Sequence, residues 1–201
     1  VIEQLLENNR RWAREWSERD PRFLPSLARE QRPEYLWVGC ADSRVPANEV
    51  VDVTPGQLFV HRNVANLTPP SDINFLAVLS FAVKVLQVKH IIVCGHHGCG
   101  GIKAALNDER HGIVDHWLAP VRATFRQNRA EIEAIATEAG RQDRLAELNV
   151  ADRVLDVANT TIVRDTWKKD QPLAIHGWIY RLSDGLIRDL EVTAARPEDI
   201  D

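Results

Sequence analysis

The sequence predicts an α/β fold, a mainly parallel sheet flanked by helices. Three observations carry this. Short apolar runs of strand length end in glycine or lead into turn residues, and segments with apolar residues at helical spacing separate them. The third is size: 201 residues, 44 % of them hydrophobic, can bury one substantial core, so residues 1–201 are read as a single domain. No internal repeat, low-complexity segment or linker interrupts the chain.

Residues 2–16 place Ile2, Leu5, Leu6, Trp12 and Trp16 near one helical face, and the prolines of "DPRFLPSLAREQRP" then break the pattern. "YLWVGC" (35–40) reads as a buried strand ending in glycine and cysteine. "QLFVHR" (57–62) is a second strand, introduced by a Pro55-Gly56 turn. Ser71 is read as the cap of a helix in which Ile73, Leu76, Leu79, Val83 and Leu86 recur at helical spacing. "KHIIVCG" (89–95) is the third strand. Helices follow, one beginning near Pro120, with Gly140 as a stop, and a long helix is expected over 145–169. "LAIHGWIYRL" (173–182) is the fourth strand, and "LIRDLEV", after the Asp184-Gly185 turn, is a fifth.

Composition excludes several classes of partner. A formal net charge of -4 gives no electrostatic case for nucleic acid or an anionic membrane, and no stretch approaches the ~20 apolar residues that span a bilayer. The N-terminus is amphipathic with early acids, unlike a signal peptide. Three cysteines in a chain this long point to a reducing compartment, and the expectation is cytoplasmic.

The chemistry concentrates in "CGHHGCGG" (94–101) and "CADSR" (40–44), each following a predicted strand. In open α/β sheets sites form beyond the carboxyl ends of the strands, so the two loops can supply one site. The glycines do not make a phosphate loop: the spacing is not G-x-G-x-x-G, and no Lys-Ser or Lys-Thr follows. His96 and Cys99, three apart in a glycine-permitted turn, can face one point. Cys94 lies inside the strand, where a small buried side chain is the expected role. Cys40 is the remaining cysteine, and Cys40, His96 and Cys99 make a soft ligand set suited to zinc. Three protein ligands leave a fourth position open, the pattern of a catalytic rather than a structural site. If the backbone after Cys40 stays extended, Asp42 and Arg44 project on its face, placing a carboxylate and a guanidinium beside the metal. An ordinary surface Asp–Arg pair, worth ~0–1 kcal/mol, is the plainer alternative.

These residues resemble a known family. "CADSR" followed by "HHGCGG", with "PGQLFVHRNVAN" between and "ELNV", "IHGWIY" and "DGLIRDL" after, resembles the β-class carbonic anhydrases over nearly the whole chain. The resemblance implies four parallel strands with a further strand at one edge, and an N-terminal helical arm (residues 1–30) that grips a partner chain in a homodimer or homotetramer. It implies Zn2+ held by Cys40, His96 and Cys99, with Asp42 and Arg44 as the catalytic dyad. The reaction implied is reversible hydration of carbon dioxide to bicarbonate and a proton. Val45 and Phe59 are candidates to line the substrate pocket, although core packing explains either equally well. The chain departs from bacterial relatives at His97, where tyrosine is commoner. A solvent-facing imidazole, or one supporting the site from behind, is the expectation there ahead of a proton shuttle.

The chain also resembles the bicarbonate-regulated (type II) bacterial enzymes in having Trp37, Arg62 and Tyr180. By that resemblance the three hold a bicarbonate away from the metal. The Val45 loop then moves, the Asp42–Arg44 pair breaks, and Asp42 swings onto zinc in a closed inactive form. Two other readings are a lyase or hydrolase acting on another small cumulated molecule such as carbon disulfide, and a zinc-storing or thiol-redox module without catalysis.

Overall fold

A computed structural model describes residues 1–200. Five strands form one sheet: β1 (Tyr35–Cys40), β2 (Leu58–Asn63), β3 (His90–His96), β4 (Ala174–Arg181) and β5 (Leu186–Ala194), in the order β2-β1-β3-β4-β5. The first four run parallel, and β5 returns antiparallel along β4 after a turn in which Gly185 has φ +73°. The expected α/β architecture is therefore present, with the strands within one or two residues of their sequence-based limits. Parallel strands need crossovers, and helices supply each one.

Alternation sorts the side chains onto two faces. Leu36, Val38, Ile91, Val93, Ile175 and Ile179 face the main core, together with Phe75, Leu79 and the helix Glu138–Ala158. Trp37, Ile92 and Cys94 face a smaller cluster with Ala47, bordered by Trp178 and Tyr180. Burial on both faces accounts for the unbroken apolar runs of β1 and β3. The long helix approaches the sheet at two glycines. A Cβ at Gly95 would lie 2.6 Å from Val150, and one at Gly177 would lie 2.3 Å from Val192 and 3.1 Å from Val150.

Three helix boundaries differ from the sequence reading. Asp72, not Ser71, caps the helix Ile73–Ser80, its carboxylate accepting from the Asn74 N–H at 3.0 Å. That helix continues through a wide turn, Phe81–Val85, which carries the apolar spacing onward. Gly140 does not stop a helix. It lies in the first turn of Glu138–Ala158, its N–H donating to the capping Thr137 hydroxyl at 3.1 Å. A Cβ there would meet Ile135 and Thr137 at 2.8 and 2.9 Å, which explains a glycine at a helix start. The single helix expected over 145–169 is two, because Thr160 leaves helical geometry and caps a new helix, Thr161–Trp167, accepting from Val163 N–H at 3.3 Å.

The N-terminal helix Ile2–Arg19 buries none of its residues. Ile2, Leu5, Leu6 and Trp12 are exposed, whereas Trp16 stacks on Phe23 at 4.1 Å between ring centres. No helix among the described residues is long and apolar enough to cross a membrane.

The glycine contacts yield a stability prediction. Gly177→Ala forces its new methyl into Val192 and should destabilise the protein by about 1–3 kcal/mol, read as a lower urea midpoint. An unchanged midpoint would mean that the helix and β5 yield freely at this point.

Candidate active site

In the strand order β2-β1-β3, the chain winds first one way from β1 and then the other, so the order reverses between β1 and β3. Crevices at such reversals, beyond the carboxyl ends of the strands, are where α/β sheets bind ligands. The last residues of β1 and β3 are Cys40 and His96. After His96 the backbone turns at Gly98, φ +69°, a conformation that favours glycine. The turn brings Cys99 back at the N-terminus of the helix Gly100–Leu106.

The Cys40 and Cys99 sulfurs lie 3.9 Å apart, and with a His96 ring nitrogen the three ligand atoms fall within 4.8 Å of one another, all buried. The His96 tautomer follows from its neighbour. Nδ1 sits 3.0 Å from the His97 carbonyl oxygen, which can only accept, so Nδ1 carries the proton and Nε2 presents its lone pair. Nε2 is buried and has no hydrogen-bond partner. An orphaned lone pair beside two sulfurs is satisfied by a metal cation, and a set of two thiolates and one imidazole fits zinc. The hydrogen bond from Nδ1 is the kind of support that orients a metal-binding imidazole.

The sulfurs divide their charge unequally. Cys40 is drawn down by a hydrogen bond from Cys99 against the effect of burial. Cys99 is pushed well up by donating to Cys40 and by burial. Two thiolates this close repel, so full ionisation of the pair calls for a cation to balance it. Cys94 is fully buried, with its thiol pushed up by burial and directed at the Gly95 carbonyl 3.4 Å away.

Asp42 and Arg44 do meet, though not by an extended backbone. The chain leaves β1 at Cys40 and turns, with Val45 N–H donating to the Asp42 carbonyl at 3.1 Å. Asp42 Oδ1 accepts from Arg44 backbone N–H at 3.0 Å and from Nε at 2.9 Å, and Oδ2 accepts from Nη2 at 2.7 Å. Arg44 Nη2 also donates to the Gly98 carbonyl at 3.3 Å, tying the two loops together. Hydrogen bonding from Arg44 holds the Asp42 carboxyl well below the usual carboxylate range. Asp42 Oδ2 stands 3.7 Å from His96 Nε2, so the carboxylate faces the metal-binding cluster.

The other residues singled out in the sequence are placed as follows. Arg62 donates from Nε to the Cys40 carbonyl at 2.8 Å and from Nη2 to the Asp42 carbonyl at 2.6 Å. By register, Trp37, Arg62 and Tyr180 share one sheet face, and the Trp37 indole N–H is buried without a partner. Val45 is buried in the turn after Asp42. Phe59 pairs in register with Leu36, four positions before Cys40, and packs on Phe81 at 5.8 Å between ring centres. At ~3.3 Å per residue that puts it roughly 13 Å along the strand from the sulfur cluster. His97 is not solvent-facing: it is 8 % exposed, with Nε2 3.3 Å from Glu147, which also pairs with Arg144 and Arg188.

Two features escaped the sequence reading. The carboxylate of Glu147 behind His97 lies in the "ELNV" segment, as does Asn149, which is fully buried and donates to the Ala65 carbonyl at 3.1 Å. The available signal was an asparagine at the helical spacing of buried Leu145, Ala146 and Val150.

Fold and site define a class: an α/β protein with a two-cysteine, one-histidine metal centre at the reversal point of its sheet and an Asp–Arg pair beside it. The family model described as carbonic anhydrase matches residues 35–187. The chain is 42 % identical over 190 residues to a carbonic anhydrase of Emericella nidulans, covering 94 % of this chain and 83 % of that protein. It is 33 % identical over 181 residues to one from Pseudomonas aeruginosa, covering 87 % and 80 %. Among solved structures it is similar to a tetrameric β-carbonic anhydrase of Sordaria macrospora, with TM-score 0.93, 39 % identity and coverage of 96 % and 98 %. A Coccomyxa β-carbonic anhydrase in complex with acetazolamide gives TM-score 0.94 at 38 % identity, covering 99 % and 90 %. The chain belongs to the β-class carbonic anhydrases, a family of zinc lyases.

The site geometry predicts which cysteines matter. Metal analysis should find zinc in the purified protein, largely lost in Cys40→Ser, His96→Ala and Cys99→Ser and retained in Cys94→Ser. Because the Cys99 proton must leave for the metal to bind, zinc affinity should fall as pH is lowered. Loss of zinc from Cys94→Ser, or affinity indifferent to pH, would contradict this assignment.

Proposed function

We propose that this protein catalyses the reversible hydration of carbon dioxide to bicarbonate and a proton, with Cys40, His96 and Cys99 as zinc ligands and Asp42 and Arg44 as the catalytic pair. The observation that carries the mechanism is the Asp42 carboxylate, held by two side-chain bonds from Arg44 and standing 3.7 Å from His96 Nε2. Zinc, when bound, supplies a Lewis acid that makes a water molecule acidic enough to attack at neutral pH. Arg44 keeps Asp42 ionised, and Asp42 Oδ2 accepts a hydrogen from the attacking water, which aims the water's lone pair at the carbon. Because both carboxylate oxygens are occupied by a fixed guanidinium, this orientation needs no rearrangement during the reaction. Val45, buried beside the turn, is the pocket wall this reading retains.

Regulation by bicarbonate at Trp37, Arg62 and Tyr180 is part of the proposal. Support comes from the unpartnered indole N–H of Trp37 and from the two carbonyls Arg62 now holds. An anion that drew Arg62 away would release the Cys40 and Asp42 carbonyls, and with them the loop that carries the dyad. The exposed apolar side chains of Ile2, Leu5, Leu6 and Trp12 support a further element, assembly with a second copy through the N-terminal helix as a homodimer or homotetramer.

Stopped-flow assay should detect carbon dioxide hydration, reduced about 100-fold or more in Asp42→Asn with zinc retained. The depressed Asp42 value means that its ionised form, favoured above the unfolded carboxylate range, persists well into acid and is lost only as pH falls through the folded value. Any activity lost between pH 8 and 6 must therefore have another origin, and the switch predicts a steep, bicarbonate-sensitive profile there that Trp37→Phe flattens. A shallow profile that bicarbonate does not move would remove the switch and leave the hydration activity standing.

Light scattering tests the assembly separately. The expected mass is two or four times the 22.8 kDa of one chain, and a fully active monomer would reject the interface.

A further inference from the structure

Behind the metal-binding cluster, one carboxylate on the helix Glu138–Ala158 gathers partners that the proposed chemistry does not use. The Glu147 side chain is 16 % exposed. Its Oε1 accepts from Arg188 on β5 and lies 3.3 Å from His97 Nε2, and its Oε2 accepts from Arg144 Nη1 at 3.2 Å. Glu131, on the helix Arg129–Glu133, in turn accepts from Arg144 Nε at 2.6 Å. Two helices and a strand thus fix where this carboxylate stands. Flanked by two guanidinium groups it only accepts, so His97 Nε2 is the donor.

The ring so anchored belongs to a residue whose backbone supports a metal ligand. The His97 N–H donates to the Tyr180 carbonyl of β4 at 3.0 Å, and the His97 carbonyl accepts from His96 Nδ1 at 3.0 Å. The peptide bearing that carbonyl ends at Gly98, φ +69°, and a peptide next to glycine turns freely. Beyond the glycine the chain is tied again, where the Gly98 carbonyl accepts from Arg44 at 3.3 Å. Between these ties, the aim of the His97 carbonyl depends on how firmly residue 97 is held. That carbonyl keeps the His96 ring in the tautomer and direction that present Nε2 to a metal. Groups so placed behind a ligand govern metal affinity.

We propose that Glu147 is a positioning residue for the metal centre: it clamps the His97 ring and so keeps the His97 carbonyl on His96 Nδ1. The proposal rests on Cys40, His96 and Cys99 binding a metal. Glu147 acts on that metal at a distance, through one side chain and one carbonyl.

The test uses the whole protein loaded with zinc, and in parallel with cobalt(II), which moves the proton NMR signal of a ligand imidazole N–H clear of the others. Glu147→Leu removes the acceptor at similar size. His97→Phe keeps a ring, removes the donor and leaves Glu147 with its arginines. Each variant should lower zinc affinity, measured by chelator competition, about 10-fold. In each, the His96 Nδ1 proton should exchange with water about 10-fold faster, because its carbonyl partner is no longer held. The double variant should lose no more than either single one, since both remove the same contact.

An ion cluster that served only the fold would behave differently. Glu147→Leu would then lower the urea midpoint yet keep the parent affinity and exchange rate, or the losses would add in the double variant. Either result overturns the proposal. If Glu147→Leu does not fold, His97→Phe decides alone, and parent affinity and exchange in that variant overturn it. Failure of both to fold overturns it too, because the contact would then hold the chain and not the ligand. A parent protein that binds neither zinc nor cobalt would instead reject the metal reading beneath it, a result visible before any variant is made.

Discussion

Two sulfurs 3.9 Å apart in a buried crevice constrain everything around them. Such a pair cannot carry two negative charges in a dry interior without a cation to balance them. The surroundings prepare for that cation. The His97 carbonyl fixes the His96 tautomer, and Arg44 and Arg62 hold the neighbouring loop without competing for the sulfurs. The Asp42–Arg44 pair belongs to the same arrangement: held by Arg44, the Asp42 carboxylate stands 3.7 Å from His96 Nε2, beside the cluster.

The sheet makes this crevice possible. Its strand order reverses between β1 and β3, leaving their carboxyl ends adjacent with no crossover above them. Gly95 and Gly177 let the helix Glu138–Ala158 lie close enough to the sheet for Asn149 to reach across to Ala65.

Much of this was legible in the sequence because it depends on short-range patterns. The strands announced themselves as apolar runs, and the three ligands followed from two cysteine-bearing loops after strands. What escaped depends on long-range encounters. Gly140 read as a helix stop because glycine usually ends helices, but here Ile135 and Thr137 crowd a first-turn position that only glycine fits. The break at Thr160 was hidden inside continuous helical spacing. That Arg62 grips the Cys40 and Asp42 carbonyls depends on where the loop after β1 lands, which only the folded chain reveals. The "ELNV" segment named no role for Glu147 or Asn149, since the His97 and Ala65 groups they meet lie 50 and 84 positions away.

The separation of the ligands has a consequence for how the chain comes to be folded. Cys40 and Cys99 are 59 positions apart, so a metal joining them closes a long loop, as a covalent cross-link would. The entropy of closing that loop is met by tertiary folding before the metal arrives, or by the metal if it arrives first. Either way, a cation that binds only the closed form draws the equilibrium toward it, by an amount set by its free concentration relative to its dissociation constant. The stability of the folded chain is then coupled to the free concentration of that cation, independently of any reaction the site performs.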